Sequence, residues 1–305
     1  MDRRVAGIVV LVVALVAVVV LPSISGRRVA GSATALTFAD PPAVGACPRA
    51  IPQGAVQRNG STGEISFAAI TFGGCTGVIG GEVVAVWPTE AAAQADQRGS
   101  RRGGPCYRQA ADFAGLLPSS RSIDPFGADF AGVVHWKPTI GFVPLNIVPE
   151  PVAAAGGQTW VACLVVPTRA PSYRGTLRDA YVSGRLPDAF GLCWDQDDLD
   201  NSAVLLHCDQ PHAAELLATG WVEDRSKITT AEVQASCLTV AGRIIRTDDP
   251  TRQGAISIVT DAVRKDGAQR EDAPLAVNCF ATAASPLQLT GSVIGLADGP
   301  LPLVG

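Results

Sequence analysis

Eight cysteines divide this chain of 305 residues into two successive sets of four, and the residues around the two sets repeat. Seven residues after the second cysteine of each set stands a glutamate, Glu82 in the first set and Glu215 in the second. Twelve residues after the fourth cysteine comes a glycine followed by a hydroxyl residue, Gly175-Thr176 and Gly291-Ser292. This repeated spacing predicts that the chain contains two copies of one cysteine-bearing module. The two sets are Cys47, Cys75, Cys106, Cys163 and Cys193, Cys208, Cys237, Cys279.

The N-terminus carries an apolar run, Val5–Leu21, preceded by two arginines. As a helix this run is about long enough to cross the hydrocarbon core of a bilayer, because flanking side chains can snorkel. The alternative is a cleaved signal peptide, since Ala33-Thr34-Ala35 has the small-x-small form of a cleavage site. We interpret residues 1–22 as a transmembrane anchor or uncleaved signal and residues 23–43 as a tether. The arginines favour a single-pass plasma membrane protein whose C-terminal region is extracytoplasmic.

The net charge bears on possible partners, and the predicted export bears on the state of the cysteines. The formal net charge is −4 and the basic residues are scattered, so the sequence does not favour nucleic acid as a partner. An even number of cysteines in an exported region is typical of a disulfide framework. We therefore expect all eight cysteines to form disulfide bonds.

Residues 44–180 form module one and residues 187–298 form module two in our interpretation. In each module, turn-forming residues lie midway between the first two cysteines, at 59–63 and at 198–201. A hairpin folded at that midpoint places the two cysteines opposite each other. The turns therefore predict the bonds Cys47–Cys75 and Cys193–Cys208.

The third cysteine of each module has helical surroundings. Thr229 and Glu232 form a capping box ahead of Cys237, and Cys106 has apolar residues at helical spacing after it. The fourth cysteines, Cys163 and Cys279, lie in apolar runs typical of strands. The remaining bonds are then predicted as Cys106–Cys163 and Cys237–Cys279. Four cysteines allow three pairings, so the pattern leaves the other two open.

The predicted fold class is therefore α+β, a tandem repeat of two small disulfide-stapled modules, each with the order strand, strand, helix, strand, after an N-terminal transmembrane helix. Each module is expected to have its own core, with few contacts crossing residues 180–187. Module one has an insertion, Pro118–Pro151, that we expect to be an ordered loop. Its segment His135–Pro138 is the best candidate for an exposed recognition feature.

Module two contains a recognisable combination of motifs. Gly191-Leu192-Cys193 opens the module, and Cys208 is followed by Pro211-His212 and Glu215. With a helix cysteine and a terminal cysteine before a Leu-x-Gly-Ser-type ending, this combination resembles the septum-formation-related domain of actinobacterial membrane-anchored proteins. The resemblance is clear over residues 188–298. It implies an exported, membrane-tethered domain associated with the cell envelope or septum.

Residues 44–179 resemble the same domain as a degenerate copy, because Ile79 stands where module two has His212. Any activity that needs the histidine would therefore belong to module two alone. The resemblance supplies Pro211, His212 and Glu215 as family motif residues and no catalytic mechanism.

His212 and Glu215 are the main candidates for chemistry. A carboxylate beside an imidazole is typical of an acid/base pair, but a local hydrogen bond that braces the Pro211 turn is the favoured interpretation. A zinc site from the nearby cysteines and histidines is the weaker alternative to disulfides, because module one keeps the cysteines without a histidine. We predict no catalytic residue, cofactor or metal site. The candidate zinc ligands are Cys193, His207, Cys208 and His212.

The sequence thus favours a non-enzymatic, membrane-anchored extracytoplasmic protein that binds protein or cell-wall partners in the envelope or division machinery. One alternative is an envelope hydrolase or transferase that uses His212 and Glu215. Another is a small-molecule or lipid-binding envelope protein, favoured if residues 118–151 line a deep cavity.

Overall fold

The computed structural model describes most of the region after the N-terminal segment. It has a mixed α/β fold with four disulfide bonds. Met1–Ala39 and Asp40–Gly305 are two compact units, and only residues 37–39 of the first are described. The predicted anchor, 1–22, lies outside the described residues; no helix within them has the length and apolar character to cross a membrane. The described ranges are 37–49, 57–58, 65–66, 70–97, 106–116, 134–182, 184–196, 204–222, 228–263 and 275–305.

The described part of module one contains three α-helices and ten strands. Its largest sheet is antiparallel and has the order β6-β9-β8. The middle strand is the apolar run with Cys163 at its third position, and six of its seven residues are buried. The strands are β1 (Cys47–Pro48), β2 (Gln57–Arg58), β3 (Ile65–Ser66), β4 (Phe72–Gly73), β5 (Val78–Ile79), β6 (Glu82–Trp87), β7 (His135–Pro138), β8 (Phe142–Ile147), β9 (Val161–Pro167) and β10 (Tyr173–Arg174). The helices are α1 (Glu90–Gln97), α2 (Tyr107–Phe113) and α3 (Pro151–Ala155).

From residue 187 onward the described chain forms one α-helix, one short 3-10 helix and seven strands. The main sheet is antiparallel, with the order β12-β11-β13-β15-β14 and with β7 of module one paired to β13 as a sixth strand. The elements are the 3-10 helix Asp188–Phe190, β11 (Cys193–Trp194), β12 (Leu205–Leu206), β13 (Ala214–Val222), α4 (Thr230–Ile245), β14 (Ile256–Val263), β15 (Leu275–Ala283), β16 (Gln288–Leu289) and β17 (Leu303–Val304).

Helix α4 begins at the predicted capping box. The Thr229 hydroxyl accepts a hydrogen bond from the Glu232 backbone N–H at 3.2 Å, and the Glu232 carboxylate accepts one from the Thr229 N–H at 2.7 Å. Two of the helix's first N–H groups gain partners in this way. The face predicted to be apolar is buried: Val233, Cys237, Val240, Ala241 and Ile244.

The four predicted disulfide pairs are the ones found, with Cα–Cα distances between 5.1 and 5.6 Å. Both predicted hairpins form: β1 pairs with β4 and β2 with β3 in module one, and β11 pairs with β12 in module two. The turn residues 59–63 and 198–201 lie outside the described residues. The hairpins place each pair of cysteines within bonding reach, as expected.

Cys106 differs from the prediction that the third cysteine lies within a helix. It is the N-cap of α2, with φ 77°, and the helix begins at the next residue. A residue in this left-handed conformation cannot belong to a right-handed helix, so the helical spacing after Cys106 starts one residue later than predicted. Cys237, in contrast, lies inside α4.

The predicted order strand, strand, helix, strand is too simple. In module two it omits β13 and β14, and in module one it omits β6 and β8. The signal for β14 is a period of two, with Ile256 and Ile258 buried on either side of exposed Ser257. Strand β13 hides this period because it is buried on both faces and has a bulge between Leu216 and Ala218.

The insertion is more regular than the predicted ordered loop, because its described part forms β7 and β8. In module two, the apolar run Val204-Leu205-Leu206 predicts a buried strand, but the run is only partly buried. Val204 is 53% exposed and the strand after it has only two residues, since β12 lies at the edge of its sheet.

Strand β7 contradicts the expectation of separate cores. It pairs with β13 from Pro138↔Ala218 to His135↔Trp221. Between them Trp136 is 3% exposed and donates from Nε1 to Ser236 Oγ at 2.7 Å. One continuous buried cluster contains residues of both modules, and Trp136 is one of them.

The same geometry corrects the prediction that His135–Pro138 is an exposed recognition feature. Trp136 and Pro138 are buried, and only His135 is exposed. A Cβ atom on Gly220 would lie 2.8 Å from the Trp136 ring, so the glycine makes room for the indole. The tryptophan therefore fills the core that joins the two modules.

Replacing Trp136 tests this junction. Trp136→Ala should lower the free energy of unfolding by about 3–5 kcal/mol, because it removes a buried indole and leaves Ser236 without its donor. Trp160→Ala is the matched control, since Trp160 is only half-buried, and should cost less. Denaturant unfolding of the disulfide-intact protein measures both; an equal or smaller cost at Trp136 would contradict the shared core.

Candidate functional site

Glu215 lies on β13 with 0% exposure, facing the segment that follows the last long strand. Its carboxylate accepts a hydrogen bond from the Ser292 hydroxyl at 2.5 Å and one from the Val293 backbone N–H at 2.7 Å. A buried carboxylate is costly unless donors surround it. These two bonds therefore tie the C-terminal segment to the middle of the sheet.

Glu82 makes the corresponding contacts in module one. It is 1% exposed at the start of β6 and accepts hydrogen bonds from Tyr173 Oη at 2.7 Å, from Thr176 Oγ1 at 2.6 Å and from the Leu177 N–H at 2.5 Å. In both modules a glutamate seven residues after the second cysteine binds the hydroxyl residue after a glycine and the next backbone N–H. We call these two sets of bonds the carboxylate clasps: Glu82 with Thr176 and Leu177, and Glu215 with Ser292 and Val293.

His212 lies just before β13 and is also fully buried. Its backbone N–H and carbonyl exchange hydrogen bonds of 2.9 Å with Leu289. Nδ1 lies 2.7 Å from the Gln210 carbonyl, so Nδ1–H is the donor there. Nε2 has no hydrogen-bond partner within the described part of the chain.

Ile79 occupies the corresponding place in module one. It is 0% exposed and pairs with Tyr173 between β5 and β10, as His212 pairs with Leu289. The predicted local hydrogen bond of His212 is present. The helical segment that would put His212 and Glu215 on one face is not, because Glu215 lies on a β-strand and each side chain has its own partners.

Burial sets the protonation behaviour of these groups. It raises the pKa of Glu215 to about 7, against the opposing hydrogen bonds from Ser292 and Val293. It also lowers the pKa of His212 below 6.5, which favours the neutral imidazole. Burial, followed by the nearby Glu82, raises the pKa of Tyr173. These shifts come from buried groups with structural partners.

The glycine that opens module two is explained by its neighbours. A Cβ on Gly191 would overlap Cys208 Sγ and lie 3.0 Å from Glu215 Oε1. Gly45, in the corresponding motif of module one, is needed for another reason, since its φ is +84°. The Gly-x-Cys motif thus lets the chain pass close to a disulfide and a buried carboxylate in module two.

Two clusters of potential metal ligands occur in the described residues. Near the first disulfide of module two, the sulfurs of Cys193 and Cys208 and a ring nitrogen of His212 lie within 4.8 Å of one another. Near that of module one, the sulfurs of Cys47 and Cys75 and a Glu82 oxygen do the same. All four sulfurs are in disulfide bonds. His207, the remaining candidate ligand, does not belong to either cluster.

Two contributors to this region were not predicted. Tyr173 adds a third donor to Glu82, and Asp188 accepts a hydrogen bond from the Ser292 N–H at 2.8 Å. The repeated glycine and hydroxyl residue were visible in the sequence, but their partner was not, because the clasp joins residues 77 or more positions apart.

Comparison with protein-family models, with curated proteins and with solved structures finds no match in any of the three.

The raised pKa of Glu215 predicts a pH dependence. Because the folded-state pKa is above the ordinary 4.5, this group's stabilising contribution is complete below about pH 4.5 and is lost as the pH rises to about 7. Glu215→Gln cannot titrate. The unfolding free energy of the wild type minus that of Glu215→Gln should therefore fall by on the order of 3 kcal/mol between these pH values.

Chemical denaturation of both proteins at several pH values measures this difference. His212 titrates in both proteins, so its contribution largely cancels. Glu232→Gln is the control, because hydrogen bonds from Thr229 lower the pKa of that exposed carboxyl. Its corresponding free-energy difference should not fall between these pH values and should decrease only as the pH drops below about 4.5. A difference for Glu215→Gln that stays constant or grows with pH would show that the carboxylate is ionised in the fold.

Proposed function

We propose that this chain is a membrane-anchored extracytoplasmic protein without enzymatic activity, which binds protein or cell-wall partners in the cell envelope or at division sites. The observation that carries the proposal is that every cysteine of the two modules is paired in a disulfide. Such a framework is typical of exported domains, because cytoplasmic thiols are kept reduced. The apolar run Val5–Leu21 supplies the anchor in this proposal.

We infer further that residues 44–180 and 187–298 are two copies of one module. Matching strand register supports this inference: Glu82 and Cys163 belong to one strand pair, as Glu215 and Cys279 belong to another. The registers are Glu82↔Val165 and Ala85↔Cys163 in module one, and Glu215↔Ala281 and Ala218↔Cys279 in module two. Both pairs have a bulge at the same step, between Val83 and Ala85 and between Leu216 and Ala218.

The ends of the helices support the same inference. The Asp179 N–H donates to the Phe113 carbonyl at the end of α2, and the Gly295 N–H donates to the Ile244 carbonyl at the end of α4. Asp179 and Gly295 each lie three residues after the hydroxyl residue of a carboxylate clasp. The chain after each clasp therefore returns to the helix that bears, or directly follows, the third cysteine.

The buried ionisable groups support a role without catalysis. A substrate would have to reach His212 and Glu215, and both are 0% exposed. Glu215 already binds Ser292 and Val293, and Glu82 makes the same kind of contact in the copy that has no histidine. A role in folding accounts for both glutamates, whereas acid/base chemistry would account for only one.

The association with division rests on the resemblance to the septum-formation-related domain. Two of its motif residues make structural contacts in this chain. The backbone of His212 forms a β-bridge with Leu289, and the Glu215 carboxylate accepts a hydrogen bond from the Ser292 hydroxyl. Motifs of this kind specify a fold, and the binding surface for a partner then lies elsewhere on each module.

Crosslinking in native membranes tests the proposal. Discrete envelope or division partners should be captured by the wild type and by His212→Ile, because the substitution copies Ile79 and keeps the buried position apolar. When intact cells are treated with a thiol-alkylating reagent, the eight cysteines should not react until a reductant is added, because all of them are in disulfide bonds. A His212→Ile protein of unchanged melting temperature that fails to complement a deletion would instead support the hydrolase or transferase alternative.

A further inference from the structure

We propose that, when the Cys193–Cys208 disulfide is reduced, its two sulfurs and His212 form a binding site for a thiophilic divalent metal ion, with zinc as the best fit. The disulfide and the metal site are alternative states of the same three residues. The proposal concerns module two alone and does not depend on the function proposed above.

The placement of the three ligands carries the inference. Both sulfurs and a ring nitrogen of His212 lie within 4.8 Å of one another, and all three residues are fully buried. The cysteine Cα atoms are 5.4 Å apart. Two thiolates and one imidazole are a ligand set typical of zinc, with water at the fourth position.

The two ring nitrogens of His212 have the arrangement that a metal-binding histidine needs, with one nitrogen donating a hydrogen bond and the other, within the described residues, free of one. Nδ1–H donates to the Gln210 carbonyl, which leaves the lone pair of Nε2 available. Metal-binding histidines commonly donate their second ring N–H to a backbone carbonyl in this way. The buried Nε2 has no hydrogen-bond partner among the described residues, so an ion would satisfy an atom that the oxidised fold leaves without one.

The change of state balances as a thiol–disulfide exchange followed by metal binding. A dithiol reductant gives two electrons and two protons to the Cys193–Cys208 bond and becomes a disulfide itself. The two thiols then release their protons to solvent as the ion binds. The residues between Cys208 and His212, which are Asp209, Gln210 and Pro211, are exposed, so the buried ligands lie next to a surface segment.

Module one provides the contrast. Its cluster of Cys47, Cys75 and Glu82 has a carboxylate in place of the imidazole, and that carboxylate already accepts three hydrogen bonds. Ile79 occupies the position of His212. Metal binding in this proposal therefore requires the histidine. His212→Ile is a matched variant, because it copies module one and keeps all eight cysteines.

Titration of the anaerobically reduced protein with Co²⁺ and then Zn²⁺ tests the proposal, with a phosphine as reductant because it competes weakly for metal. The wild type should bind one Co²⁺ at this site with a thiolate charge-transfer absorption, and Zn²⁺ should displace it. His212→Ile should lose this absorption or bind more than about 10-fold more weakly, since it lacks a direct ligand. The oxidised protein should not bind either ion at this site.

If the reduced chain unfolds, zinc should restore its circular dichroism in the wild type and not in His212→Ile, because metal binding is then coupled to folding. Equal binding by both proteins would overturn the proposal, because the site would not involve the histidine. Reduced wild type that neither binds Co²⁺ nor refolds with zinc would also overturn it.

Discussion

The carboxylate clasps are the interactions on which the rest of the structure depends. Each places a buried glutamate on a strand of its module's main sheet, where a charge or a polar group without partners would be strongly unfavourable. The donors come from the segment after the last long strand of the module, Thr176 and Leu177 in one case and Ser292 and Val293 in the other. The core of each module is therefore complete only when the segment after its last long strand packs back against the sheet. The same segment also contacts the end of a helix, α2 in module one and α4 in module two.

The disulfides and the inserted strand build on these clasps. Within each module, one bond closes the first hairpin and the other joins the third cysteine to the last long strand. Each loop closed by a bond restricts the unfolded chain. Strand β7 then adds what neither clasp nor disulfide provides, a contact between modules, because Trp136 lies between β13 and α4. Both modules thus belong to one compact unit, Asp40–Gly305.

Local chemistry in the sequence predicted much of this fold. Turns midway between cysteines predicted the bonds Cys47–Cys75 and Cys193–Cys208, and the other two bonds were assigned to the cysteines left over. Helix α4 was predicted from its capping box and from the spacing after Thr229. What the sequence did not reveal depends on distant partners. Strand β7 has only four residues, and it depends on pairing with β13 and on the space that Gly220 leaves for Trp136. Strand β13 has no clear alternation of buried and exposed residues, because it is buried on both faces and has a bulge. The sequence singled out Glu82 by a repeated spacing and Glu215 also as a motif residue, but it did not reveal their hydrogen-bond donors, because these lie far along the chain.

A double-mutant cycle on each clasp tests most directly whether the clasps hold the fold together. The variants are Glu215→Gln with Ser292→Ala and Glu82→Gln with Thr176→Val, with unfolding free energies measured on disulfide-intact protein at neutral pH. We predict coupling energies of about 1–3 kcal/mol in both modules, because each pair is in direct contact and buried. Additive effects in either cycle, with no measurable coupling, would contradict the account.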